Sequence, residues 1–109
     1  MEAWLGTFAE NAIAHDPVGT PAHSGYSGLR AFLVGVLEQF ETFGLTEEDV
    51  FLAPDGAAVK WTGRGRAKNG RCVEFDGIDV FEFDRESKIL SLKAYWDAAP
   101  VLAAVAATS

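Results

Sequence analysis

The chain has 109 residues, 49% hydrophobic and 23% charged, which fits one domain over 1–109 with enough apolar side chains for a core. A formal net charge of −7 excludes a general electrostatic footprint for nucleic acid or an anionic membrane, because phosphate contacts need clustered Lys and Arg. The single cysteine, Cys72, excludes an internal disulfide and a cysteine metal cage, and it suits a reducing, cytoplasmic setting.

In chain order, residues 1–11 read as a helix, with Trp4, Leu5 and Phe8 on one face at helical spacing and no capping residue before it. A basic region followed by an apolar run, the mark of a secretory signal, is not read there. Residues 12–15 read as a short extended piece and 16–25 as a loop. Residues 28–43 read as a helix whose stripe is Leu29, Phe32, Leu33, Val36, Leu37 and Phe40. The rest reads as antiparallel strands. "LTEEDVFLAP" runs into a Pro-Asp-Gly turn at 54–56, and "AAVKWTGRGRA" leads to Lys-Asn-Gly at 68–70, a strong hairpin signal. "RCVEFDGIDVFEFD" then places Val73, Phe75, Gly77 and Asp79 on one face. "RESK" turns the chain into "ILSLKAYWDA". The basic stretch "GRGRAKNGR" reads as a solvated hairpin, and Cys72 as a strand residue. "APVLAAVAA" is too short to span a bilayer and reads as a helix or arm packed on the core or on a partner subunit.

Helices followed by a run of hairpin-linked strands indicate an α+β architecture: a curved antiparallel sheet wrapped around helices into a cone with one open mouth. Gly63, Gly65 and Gly77 are places where that sheet can bend. Val59, Trp61 and Gly63 alternate with Lys60, Thr62 and Arg64, and alternation alone leaves open which set faces the interior.

Three carboxylates interrupt apolar surroundings. Asp16, followed by Pro17, reads either as a turn former or as a pocket base. Asp79, in "GIDVF", reads either as a strand acid facing solvent beside Glu74 and Asp76, or as a buried carboxyl kept neutral and able to donate a hydrogen bond. Asp97, in "AYWDA", reads as a helix cap. Two carboxylates in one apolar pocket, with ionisation pushed apart, form an acid/base pair. His15 and His23 read as surface residues beside this loop.

"AENAIAHDPVGTPAHSGYSGLRAF", "GIDVFEFDRESKI" and "LKAYWD" together resemble the ketosteroid isomerase and SnoaL-like group of the nuclear transport factor 2 (NTF2-like) superfamily. The resemblance covers nearly the whole chain and is weaker for substrate than for fold, since this fold hosts many activities. It implies the α+β cone, Asp16 as general base, Asp79 as the protonated acid of an oxyanion hole, and Trp96 and Phe32 as pocket walls. Phe75, on the face of Asp79, joins those walls. It implies no cofactor and no metal, a small apolar carbonyl-containing ligand, and a homodimer packed through the outer sheet face. The alternatives are a SnoaL-like polyketide cyclase and a non-catalytic ligand-binding dimer. The family's oxyanion hole also uses a tyrosine on a first helix that has no counterpart here, and neither Tyr26 nor Tyr95 matches it. The expected consequence is an uncovered stretch of interior, met by tight dimerisation or by an intruding C-terminal segment.

Overall fold

The computed structural model describes residues 2–106. Met1 and residues 107–109, where the expected first helix begins and the apolar C-terminal run ends, lie outside the described residues. The elements are α1 (Glu2–Leu5), β1 (Phe8–His15), β2 (His23–Ser24), α2 (Gly25–Leu37), β3 (Phe40–Ala53), β4 (Gly56–Ala67), β5 (Cys72–Phe83), β6 (Ile89–Tyr95) and α3 (Ala98–Ala106). The architecture is α+β, with one six-stranded sheet in the order β2-β1-β6-β5-β4-β3.

The hairpins fall where the turn residues demand. Gly56 opens β4 directly opposite Ala53, and the β4–β5 ladder runs without a break from Arg66 against Cys72 to Gly56 against Glu82. That ladder fixes which face is which. Trp61 is 4% exposed and Gly63 is buried, whereas Lys60 and Arg64 point outward to Glu48, Asp76 and Glu74. The apolar set therefore lines the concave side and the polar set the convex side. Register shifts between Glu47 and Asp49 and between Phe40 and Thr42 help the long edge strand follow the curvature.

Several sequence expectations are corrected. The first helix stops at Leu5, and Phe8, expected on its face, begins a strand. Gly6 closes a turn onto the Glu2 carbonyl, Thr7 caps the Trp4 carbonyl, and the chain then pairs in parallel with β6. Trp4, Leu5 and Phe8 still share one core, so the helical spacing was satisfied by two elements meeting at a corner. The sheet is accordingly mixed, with β1 parallel to β6. The second helix begins three residues early and ends at Leu37, and Phe40 belongs to β3. Of the stripe, Leu29 is fully buried, whereas Leu37, the last residue of the helix, is 48% exposed. His15 and His23 are half-buried rather than on the surface; His23 packs its ring against Phe32 at 4.6 Å.

Two apolar clusters form. One joins Leu5, Phe8, Ala12, Ala14, Leu29 and Leu92; the other joins Phe40, Ala67 and Val101. The second exists because α3 folds back over the sheet. Asp97 accepts from the Ala99 amide at the start of α3, as a helix cap does, and the Asn69 side chain donates to the Ala104 carbonyl near its end. The C-terminal run is thus a helix packed on the interior. Among the described residues no helix is long and apolar enough to cross a membrane.

Candidate active site

A cavity of about 570 Å³ lies between the concave sheet face, α2 and α3. Its walls are almost wholly apolar, and among the described residues the acidic ones that line it are Asp16 and Asp79. Asp16, Phe32, Phe75, Asp79 and Trp96, the five candidate site residues from the sequence, all line it.

The sheet register explains why the two carboxylates meet there. Asp79 on β5 lies opposite Ala94 on β6. On the other side of β6, the parallel ladder sets Ala14 beside Leu92 and His15 beside Lys93, so its next step brings Asp16 beside Ala94; the Val18 amide then closes onto the Ala94 carbonyl. Asp16 and Asp79 therefore occupy one transverse row, separated by a single strand. Adjacent strands lie about 4.8 Å apart, which puts the two backbones roughly 10 Å apart. The residue between them is alanine, 1% exposed, whose methyl leaves both side chains room above it.

Each carboxylate is held by an indole. Trp96 Nε1 donates to Asp16 Oδ1 at 2.6 Å, and Trp61 Nε1 donates to Asp79 Oδ1 at 2.8 Å. The first pair forms because β1 and β6 are parallel and leave the sheet side by side, Asp16 just past one strand and Trp96 just past the other. The second is a diagonal cross-strand pair: Asp79 faces Val59, and Trp61 is two residues further along. Trp61 can lean across because its direct opposite is Gly77. A Cβ there would meet Trp61 Cζ2 at 2.6 Å, the Tyr95 carbonyl oxygen at 2.6 Å and Trp96 Cβ at 2.9 Å. The Phe75 ring completes the arrangement, edge-on to Trp61 at 5.5 Å and tilted against Trp96 at 5.1 Å.

This setting shifts both acids toward the neutral form. Burial raises the Asp16 carboxyl above its ordinary value, opposed by the Trp96 hydrogen bond and by the nearby His23. Burial pushes Asp79 up to about 6, opposed by the Trp61 hydrogen bond and reinforced by the charge of Asp16. The two groups thus sense one another, and Asp79 is the one more readily kept protonated.

Sequence reasoning did not assign Trp61 to the site. The signal was present, since counting back from the Asn-Gly turn pairs Trp61 with Gly77 and sets it diagonal to Asp79. It also missed the two apolar ends of the cavity, formed by Trp4 and Phe8 with Ile89, and by Phe40 and Phe43 with Val101 and Val105. Tyr26 donates to the Phe8 carbonyl, and Tyr95 is half-exposed; neither lines the cavity. Among the described residues no three His, Cys, Asp or Glu side chains gather as a metal cage requires.

Comparison with known proteins agrees with this geometry. The SnoaL-like domain matches residues 1–92. A candidate SnoaL-like polyketide cyclase from Jannaschia sp. CCS1 superposes with a TM-score of 0.86 at 17% identity, covering 99% of this chain and 79% of that one. The epoxide hydrolase/cyclase-like enzyme SalBIII, of pyran ring formation in salinomycin, gives 0.79 at 23% identity, covering 88% and 77%. The Mycobacterium tuberculosis protein RV0760c, in complex with estradiol-17beta-hemisuccinate, gives 0.79 at 21% identity, covering 88% and 80%. At these identities the superpositions speak for the fold, which is NTF2-like, and the match over residues 1–92 speaks for the family: the chain belongs to the SnoaL-like domain family.

Proposed function

We propose that the protein binds a small, largely apolar carbonyl compound and moves a proton between carbons near that carbonyl, without a cofactor. The observation that carries this reading is the placement of Asp16 and Asp79 on one row of an apolar cavity, each with one oxygen held by an indole. Asp79, protonated, donates to the carbonyl oxygen. Asp16, ionised, takes a proton from the adjacent carbon, and the electron pair of that C–H bond moves onto the carbonyl oxygen as an enolate. Asp16 then returns the proton at another carbon of the enolate, and the carbonyl re-forms. The indoles fix both carboxyls in place, and the apolar walls exclude water that would otherwise solvate the charges. Trp96, Phe32 and Phe75 hold the flat apolar body of the ligand.

A β,γ-unsaturated ketosteroid is the test substrate. The wild-type protein is expected to isomerise it, and Asp16→Asn to be slower by about 10²–10⁴-fold, the range for a positioned general base. Equal rates for the two proteins would remove Asp16 from the mechanism. The same pair could serve an intramolecular aldol closure, with the enolate carbon attacking a second carbonyl. That reading gains support from the two cyclase-like neighbours. The lack of a tyrosine among the described lining residues favours ligand binding without turnover, which inactivity of the wild type with intact binding would establish.

The proposal includes a cytoplasmic homodimer joined through the convex sheet face, where Phe51, Ile78, Val80 and Tyr95 are exposed. Sedimentation equilibrium giving only monomer at micromolar concentration would exclude the dimer, and a fluorescent fusion checks the location.

A further inference from the structure

The two acids do not lie at the end of the cavity. Along β5 the cavity-facing residues run Phe75, Asp79, Phe81. Phe81 packs against the Phe8–Leu92 cluster, and Phe75 packs against the Phe40–Val101 cluster. These are separate clusters, and both contribute walls to the same cavity. At about 3.3 Å per strand residue, Asp79 stands roughly 7 Å from Phe81 and roughly 13 Å from Phe75. Asp16, on the row of Asp79, is flanked in the same way, with Leu92 toward the first cluster and Trp96 toward the second.

A ligand whose carbonyl sat at its tip would leave one of these apolar ends empty whenever the carbonyl reached Asp79. We infer that the natural ligand carries its reacting carbonyl at an internal position, with an apolar arm on each side. The shorter arm points toward Phe8, Ile89 and Leu92, and the longer toward Phe40, Phe43 and Val105. This inference rests on the reading of Asp16 and Asp79 as the carbonyl-handling pair and narrows the ligand class for that pair. Filling both ends also removes the apolar area from water that supplies most of the affinity in such a cavity.

The experiment compares two neutral isomeric ketones by titration calorimetry with the wild-type protein. Dibenzyl ketone has its carbonyl between two rings; para-benzylacetophenone has both rings on one side. Dibenzyl ketone is expected to bind at least about tenfold more tightly, the gain from burying one further ring. Equal or weaker binding of dibenzyl ketone overturns the inference. Two variants then block the arms singly: Ile89→Trp at the short end and Val105→Trp at the long end, each checked for folding by circular dichroism. Each is expected to weaken dibenzyl ketone by about tenfold. A loss in only one of them means a one-sided cavity and overturns the inference. Because affinity is read without turnover, the catalytic reading fails separately: two-armed binding with no Asp16-dependent isomerisation sinks the mechanism and leaves the arms standing.

Discussion

The two carboxylate sites look alike, yet the sheet treats them differently. Asp79 sits within β5, between β4 and β6, so ladders on both sides fix its position. Asp16 sits just past the end of β1, at the start of a loop, with His23 close enough to oppose its protonation. Burial acts on both; the charge of Asp16 adds to it at Asp79, whereas the His23 imidazole opposes it at Asp16, so Asp79 keeps its proton more readily and Asp16 gives it up more readily. A single row of the sheet can therefore supply both a donor and a base, the division that proton transfer next to a carbonyl needs. The largest effect on this comparison comes from removing the donor. Asp79→Leu is expected to lower the isomerisation rate by about 10²–10³-fold, as for loss of one oxyanion donor. Asp79→Asn keeps a neutral N–H donor in the same place. It is expected to retain most activity and to abolish the loss of activity as pH rises through about 6. If Asp79→Asn kept the wild-type pH profile, another group would own that limb.

The second way to break the comparison is to separate the indoles. Gly77 lies where Trp61 and Trp96 converge, and one of the atoms that a Cβ would strike is the Tyr95 backbone carbonyl, which cannot swing aside. Gly77→Ala is expected to destabilise the fold by about 1–3 kcal/mol, the usual cost of overpacking, read from urea midpoints. Both carboxylate sites would loosen together. A neutral effect on stability would mean that the rings have slack.

The β-hairpins were legible almost to the residue. Pro-Asp-Gly and Asn-Gly impose specific backbone turns, and strict alternation between them put Phe75, Gly77 and Asp79 on one face, while only the sheet's curvature decides whether that face meets solvent or the interior. The N-terminal corner was not legible. Trp4, Leu5 and Phe8 satisfy a helical period, but the pairing partner that turns Phe8 into a strand residue, Ile89, lies 81 positions away in the chain. The meeting of Asp16 with Asp79 depends on that same parallel pairing. Local pattern could suggest two buried acids, and only the resemblance placed them in one site. Trp61 shows a third case: its partner was deducible from hairpin arithmetic, but an indole on an apolar strand face has core packing as its ordinary explanation.

Asp79 also makes stability depend on pH, with a definite sign. Its carboxyl ionises at 3.8 when unperturbed and at about 6 in the fold, so between these values the native state holds more protons than the unfolded one. Its contribution is fully present below pH 4 and is lost as pH rises through about 6, with Asp16 acting in the same sense. The shift alone corresponds to about 3 kcal/mol, and partial contact with solvent reduces it to about 1–2 kcal/mol. Asp79→Asn is expected to flatten this slope and to be the more stable protein at pH 8. Urea unfolding at pH 4 and pH 8 decides it, and parallel slopes in the two proteins would place Asp79 in ordinary solvent.

The smallest expected effect compares the indoles themselves. Trp61→Phe and Trp96→Phe each remove one N–H from one carboxylate while keeping an aromatic ring. Because each hydrogen bond favours ionisation, its loss is expected to raise the partner's pKa further: Asp79 in the first variant, Asp16 in the second. The consequences for activity are opposite. A higher pKa at Asp79 keeps the donor neutral over a wider range and extends activity to higher pH. A higher pKa at Asp16 leaves less of the base ionised and cuts activity on the acid side. Carboxyl ¹³C titrations by NMR read both shifts directly. Movement of both limbs in either single variant would mean that the carboxylates titrate as one coupled pair, and the assignment of donor and base to separate residues would have to be withdrawn.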